Sequence, residues 1–191
     1  MHVRLIQVLF VAFFVSLLSP MNSFAVQSQA ETIQISQSKE SYVLTVPVSQ
    51  LVMTIPKGGL TQKTNAQGGS AASPRYFFFG DDALNLFISG WFESEGGFQG
   101  VEKFWKNETK AWKRKGLPEP RDVSFVKIDN WDAIIYDIEL PKSSNSHVRA
   151  HWVQAGTWID IHISITSDHP SVELRAKLAD FLKTIQVKTK N

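Results

Sequence analysis

The sequence predicts an α+β domain in which a mostly antiparallel sheet of about six to eight strands packs against two helices. Short segments of alternating apolar residues recur along the chain and are separated by turn residues, a pattern typical of hairpins. Only two longer segments carry apolar residues at helical spacing. Residues 26–191 have the length of one domain of common size, and no internal repeat of fixed period divides them.

The first 25 residues are a predicted signal peptide. Arg4 precedes a nearly unbroken apolar stretch from Leu5 to Leu18, Pro20 ends that stretch, and Ser23-Phe24-Ala25 places small residues at a cleavage site. The apolar stretch is shorter than the roughly 20 residues that span a bilayer. We therefore expect a periplasmic chain that is cleaved near Ala25 and has no stable membrane insertion afterwards.

Composition excludes several classes of protein. The chain contains no cysteine, which rules out disulfide stabilisation, thiol hydrolases and lipid attachment at an amino-terminal cysteine. Arg4 is the only charged residue of the leader, and the chain as a whole has a formal net charge of +2. This near-neutral balance provides no electrostatic reason to expect a nucleic acid or an acidic membrane as partner.

Alternation predicts short strands between residues 33 and 55. Their apolar positions are Ile33, Ile35, Tyr42, Leu44, Val46, Leu51, Met53 and Ile55. Residues 57–74 are rich in Gly, Ser, Ala, Gln and Thr and lack periodicity, which predicts either a flexible loop or a functional lid. A hairpin follows, with its arms at 75–79 and 84–92 around Gly80-Asp81-Asp82.

The first helix is predicted from Val101 to a stop at Gly116, and its last turn is basic, which complements the negative carboxyl end of a helix. Two hairpins follow, over 122–140 with a turn at 129–130 and over 147–167 with a turn at 155–156. The second helix has Pro170 in its first turn and an apolar face of Leu174, Leu178, Phe181, Leu182 and Ile185. The tail from Lys188 is expected to fray.

This order of elements resembles a known family. The segments that carry the likeness are Ala133-Ile134-Ile135-Tyr136-Asp137-Ile138, Gly156-Thr157-Trp158-Ile159-Asp160-Ile161-His162-Ile163-Ser164 and Phe181-Leu182-Lys183-Thr184-Ile185. With the two early strands and the aromatic central helix, residues 40 to 187 are similar to the PsbP-like α/β/α sandwich, which includes DcrB-like periplasmic proteins. The resemblance implies an accessory or interaction protein and helices on both faces of the sheet.

The best candidate site is one face of the last hairpin. A turn at 155–156 places Val153 opposite Trp158, His151 opposite Asp160, Arg149 opposite His162 and His147 opposite Ser164. The tentative ligand-binding residues are His147, Arg149, His151, Trp158, Asp160 and His162. Two alternatives remain open: an ordinary solvated sheet face, or a face that binds a protein, a small ligand or a metal through convergent side chains. Trp158 is the aromatic that would anchor a partner on this face, unless a helix covers it.

Catalytic signatures are missing from the sequence. Glu93 and Glu95 are near each other but have no identifiable partner acid, and neither a nucleophile elbow nor a phosphate-binding loop is present. We therefore expect no enzyme, no cofactor and no bound metal. The expected function is that of a periplasmic accessory domain that binds another periplasmic or envelope protein; the alternative is a small-ligand or metal-binding protein that uses the histidine face.

Overall fold

The computed structural model describes residues 32–63, 75–168 and 172–190. The predicted signal peptide, residues 64–74 of the predicted loop and Pro170 lie outside the described residues. The elements of the first half are β1 (Gln34–Gln37), β2 (Ser41–Val46), β3 (Leu51–Pro56), β4 (Thr61–Gln62), β5 (Tyr76–Asp81), β6 (Leu86–Ser94) and α1 (Val101–Arg114). Those of the second half are β7 (Arg121–Ile128), β8 (Trp131–Leu140), β9 (Ser143–Gln154), β10 (Thr157–Ser167), α2 (Val172–Thr184) and β11 (Gln186–Thr189).

Within the described residues, the strands form two antiparallel sheets. The small sheet has the order β1-β2-β3-β11, and the large sheet has the order β4-β5-β6-β10-β9-β8-β7. The α+β class, the antiparallel pairing and the two helices are therefore confirmed. The division into two sheets is a finding of the structure, since alternation along a strand reports its faces and not which sheet it joins.

The main core lies between the two sheets. The inner residues of the small sheet, such as Leu44 and Met53, meet the face of the large sheet that carries Phe92 and Ile161, all with no exposed surface. Leu182 on α2 also joins this core, as the apolar spacing of that helix predicts. The opposite face of the large sheet carries the candidate site.

Helix α1 packs on this opposite face. A second apolar cluster joins Trp112 of α1 to Ile134, Tyr136 and Ile138 of β8, with Trp105 packed against it. The carboxyl end of α1 is where the sequence predicts it, because Gly116 adopts a positive φ of 65° that favours glycine. Among the described residues neither helix is both long and apolar enough to cross a lipid bilayer.

Two segments without a strand pattern in the sequence contain paired strands. Residues 57–63 belong to the fold: Leu60 is buried, its carbonyl accepts a hydrogen bond from the Tyr42 hydroxyl at 3.1 Å, and β4 pairs with β5. The tail does not fray at Lys188, because β11 pairs with β3. Both segments are short and polar, so only their distant pairing partners make them regular.

Candidate functional site

Three cross-strand rows make up the face of the large sheet under α1. The predicted register is confirmed: His151 pairs with Asp160, Arg149 with His162, and His147 with Ser164. The turn that sets this register has Ala155 and Gly156 at φ of 51° and 73°. The neighbouring strands extend the rows to Asp132-His151-Asp160-Trp91-Tyr76, Ile134-Arg149-His162-Ser89-Phe78 and Tyr136-His147-Ser164-Phe87-Gly80.

The central residues of these rows are buried, which excludes the alternative of an ordinary solvated sheet face. His151 has no exposed surface, and Arg149, Asp160 and His162 keep only 5%, 5% and 7% of theirs. The cover is α1 together with the segment before it, since Phe104 lies 4.3 Å from His151 between ring centroids. Alternation in a sequence cannot distinguish a polar face in water from one beneath a helix.

Arg149 and Asp160 form the charged centre of the site. The Arg149 guanidinium donates a hydrogen bond to the Asp160 carboxylate, and its carbon lies 5.2 Å from the Phe104 ring centroid. Burial lowers the pKa of Arg149, but the carboxylates of Asp160 and Glu108 outweigh burial and raise it. Arg149 therefore stays charged in the folded protein, with Glu108 of α1 close enough to influence its pKa.

His147 and His162 bind each other. Nδ1 of His147 and Nε2 of His162 are 2.9 Å apart, and the Tyr136 hydroxyl lies 3.5 Å from the same His162 nitrogen. The rings of Tyr136 and His147 are stacked at 4.7 Å, and those of His147 and His162 at 5.0 Å. Burial, together with the Arg149 charge, lowers the pKa of His147 to about 3 and that of His162 well below 6.5. Both imidazoles are neutral near pH 7.

His151 has two polar neighbours. The Trp158 indole donates a hydrogen bond to Nδ1 of His151 at 3.2 Å, and the Asp160 carboxylate lies 3.5 Å from the same nitrogen. Burial lowers the pKa of His151 to about 4. Trp158 is half-buried and stacks on Phe98 at 5.2 Å. It therefore packs inside the cover, and the open anchor for a partner that the sequence predicted is absent at this residue.

The histidines do not converge on one point. His147 faces His162, His151 faces Trp158, and Asp160 faces Arg149. In the part of the chain that the structure describes, no three His, Asp or Glu side chains are arranged to hold a metal ion. The convergence that the hairpin register suggested is replaced by diagonal pairs.

Sequence reasoning missed the aromatic residues of β5 and β6 on the same face. Tyr76 and Trp91 lie 4.7 Å apart between ring centroids, and Phe78 and Phe87 lie 6.0 Å apart. All four are half-buried, whereas Phe77, Phe79 and Phe92 of the same strands fill the core. The sequence feature that could have revealed them is the dense aromatic content of residues 76–92, which makes both faces of that hairpin apolar.

Two titratable groups lie on this part of the face, Tyr76 and Glu93. Burial raises the pKa of Tyr76 to about 12, although a hydrogen bond with Ser89 opposes this. Burial also raises the pKa of Glu93, while Arg75 lowers it. Glu93 lies in β6 on this face, one residue before the strand ends, and Glu95 lies in the short 3-10 turn after it, so the two carboxylates do not lie on one strand.

No protein-family model and no curated protein sequence matches the chain. Among solved structures, the chain is similar to a protein of Bacteroides thetaiotaomicron VPI-5482, with 12% identity and a TM-score of 0.40. The match covers 74% of this chain and 46% of the other, so the chain spans less than half of that protein. The likeness to the PsbP-like fold stays a prediction.

Proposed function

We propose that the chain is an exported, non-enzymatic binding domain whose ligand is a small planar molecule held on the β5–β6 side of the polar face. One observation carries this proposal. Four half-buried aromatics of β5 and β6 lie on the same sheet face as three buried polar groups, and the β6–β10 pairing places the two sets side by side. The aromatics are Tyr76, Phe78, Phe87 and Trp91, and the polar groups are Ser89, His162 and Ser164. Aromatic walls with a few fixed polar groups are typical of small-molecule sites.

The charges around this surface favour a neutral or cationic ligand. Glu93, Glu108 and Asp160 contribute three carboxylates, against Arg149 and the neighbouring Arg75. A planar cation can lie over Trp91 or Tyr76 and gain from the electron-rich ring faces. The surface is therefore a poor match for an anion.

The arrangement of the histidines supports binding without catalysis. A general base must reach a nucleophile or a substrate proton. Here Nδ1 of His151 accepts a bond from Trp158, and His147 and His162 bond to each other. These nitrogens are engaged in bonds between β9 and β10, within the sheet itself.

The test is a thermal-shift screen of planar heteroaromatic compounds, neutral and cationic, against the purified protein. A ligand at a hundredfold excess over its Kd stabilises the folded state by about 2.7 kcal/mol, which raises Tm by roughly 5 to 10 °C. Trp91→Ala should abolish the shift. Trp152→Phe is the matched control, because Trp152 is a half-buried tryptophan on the opposite face of the sheet. No shift with any compound, or a shift that survives Trp91→Ala, would refute the proposal.

A second candidate function is the binding of another periplasmic or envelope protein, and the edge strand β7 favours it. In the described part of the large sheet β7 pairs on one side only, and Val123, Phe125 and Val126 are 37%, 47% and 36% exposed. A partner could add a strand here through main-chain hydrogen bonds. Ser124→Pro, which removes a main-chain donor from β7, should abolish capture of the partner and leave binding of planar compounds intact.

Export itself is tested at the amino terminus. We expect the secreted form in a Gram-negative host to begin at Val26. Amino-terminal sequencing that finds Met1 on the protein from the periplasmic fraction would contradict cleavage. Recovery of the protein from the cytoplasmic fraction alone would contradict the export on which this proposal depends.

A further inference from the structure

Five cations line the outer face of α1. Counted from Lys103, they fall at steps of three, seven, ten and eleven residues, which places them on one side of a helix. All five are exposed. We call them the basic ridge: Lys103, Lys106, Lys110, Lys113 and Arg114. At 1.5 Å per residue the ridge is about 16 Å long.

Helix stability does not account for the basic ridge. Positive charge near the carboxyl end of a helix is favourable, which explains Lys113 and Arg114 alone. Lys103 lies in the first turn, where the helix dipole disfavours a cation, and like charges three or four residues apart repel each other. In the described part of the chain none of the five forms an ion pair, not even with the exposed Glu102 of the same helix.

The ridge is held rigidly against the domain. The inner side of α1 is fixed to β8 by Trp112, which is buried, and by Trp105, which lies 4.8 Å from Tyr136 between ring centroids. The ridge therefore projects as a convex, charged edge whose direction is set by the sheet. Net charge concealed this feature, because acids elsewhere in the chain balance the five cations.

We propose that the basic ridge docks the domain on the surface of an anionic lipid bilayer, as a peripheral contact without insertion. Anionic headgroups attract clustered Lys and Arg side chains, and each contributes about a fivefold gain in partitioning. A protein partner fits less well: lysine is depleted at protein interfaces, and the ridge itself carries no apolar anchor. Phe125 is 47% exposed on the sheet face that α1 covers, and its pairing partner Ile134 packs against Trp112 of α1.

The experiment is co-sedimentation of the purified protein with vesicles of 30% phosphatidylglycerol in phosphatidylcholine, and with pure phosphatidylcholine. The ridge variant is Lys103→Glu, Lys106→Glu and Lys110→Glu. The control variant makes the same charge change at three exposed lysines elsewhere, which are Lys39, Lys142 and Lys177. Circular dichroism checks that each is folded, and Lys→Gln versions replace any that is not.

We expect binding to the anionic vesicles only. The ridge variant should lower the partition coefficient about a hundredfold or more and the control variant less than threefold, and 0.5 M salt should release the wild type. Equal losses in the two variants would overturn the proposal, as would binding to phosphatidylcholine alone. Binding to soluble polyglutamate without binding to either vesicle would overturn it in favour of an acidic protein segment.

Discussion

Lowering the pH from 7 to 5 should destabilise the protein through its three buried histidines. Burial lowers the pKa of His147 to about 3, that of His151 to about 4, and that of His162 well below 6.5. In the unfolded chain all three titrate near 6.5. Below that pH the unfolded state binds more protons than the folded state, so stability is complete above 6.5 and is lost as the pH falls towards the folded pKa values.

The magnitude follows from the difference in bound protons. A histidine that titrates at 6.5 when unfolded and below 5 when folded loses about 2 kcal/mol of stabilisation between pH 7 and pH 5. His147 and His151 together lose about 4 kcal/mol, and His162, whose pKa burial also lowers, adds to this loss; the whole stability of a typical domain is about 5–15 kcal/mol. Carboxylates with ordinary pKa values add little to the change until the pH falls below 5, whereas Glu93 and Glu108, whose pKa values burial raises, bind protons in the folded state and oppose the loss.

The assay is urea unfolding of the chain from Val26 at half-unit pH intervals from 7.5 to 5. Every sample carries His169→Gln, so that His147, His151 and His162 are the histidines that remain. The slope of the unfolding free energy against pH should reach about two protons per molecule near pH 5.5 from His147 and His151, and His162 should add to it. His151→Gln should reduce the slope by about one proton. A slope below one proton in the parent would refute the reasoning, because it would mean that the folded protein already takes up these protons.

Four substitutions test the packing on the two faces of the large sheet by urea unfolding. Gly90→Ala should cost about 3 kcal/mol, because an added Cβ would lie 2.4 Å from a backbone carbonyl of β10; wild-type stability would show that β6 and β10 are less close. Asp137→Asn breaks a buried ion pair with Arg175 and should cost about 2 kcal/mol, whereas the exposed Asp122→Asn should cost under about 0.5 kcal/mol. Trp112→Ala should cost about 3–5 kcal/mol, and a smaller loss would mean that α1 is loosely packed.

Local chemistry was sufficient to predict the hairpin that carries the candidate site. Ala155-Gly156 lies between two alternating segments, and a two-residue turn leaves one register in which the apolar residues share a face. The pairs His151–Asp160 and Arg149–His162 follow from that register and are present. Here all the information lies within about twenty consecutive residues.

The surroundings of the hairpin could not be predicted in the same way. The neighbour of β10 on its other side is β6, more than sixty residues earlier, and nothing in either strand specifies that pairing. The burial of His151 depends on Phe98 and Phe104, which reach it only after α1 packs across the sheet. Propensity and period describe an element; which element covers which face depends on long-range packing.

The buried polar face lowers the stability of the folded state, so its presence needs another explanation. A buried ion pair such as Arg149–Asp160 often contributes less to stability than apolar residues of the same shape, and neutral histidines in a core forgo the same gain. The apolar cluster under Trp112 demonstrates that α1 can pack on this sheet without charges. The polar groups are concentrated instead where β9 and β10 approach the half-buried aromatics of β6. Stability alone therefore does not account for their position, whereas a bound ligand beside them would.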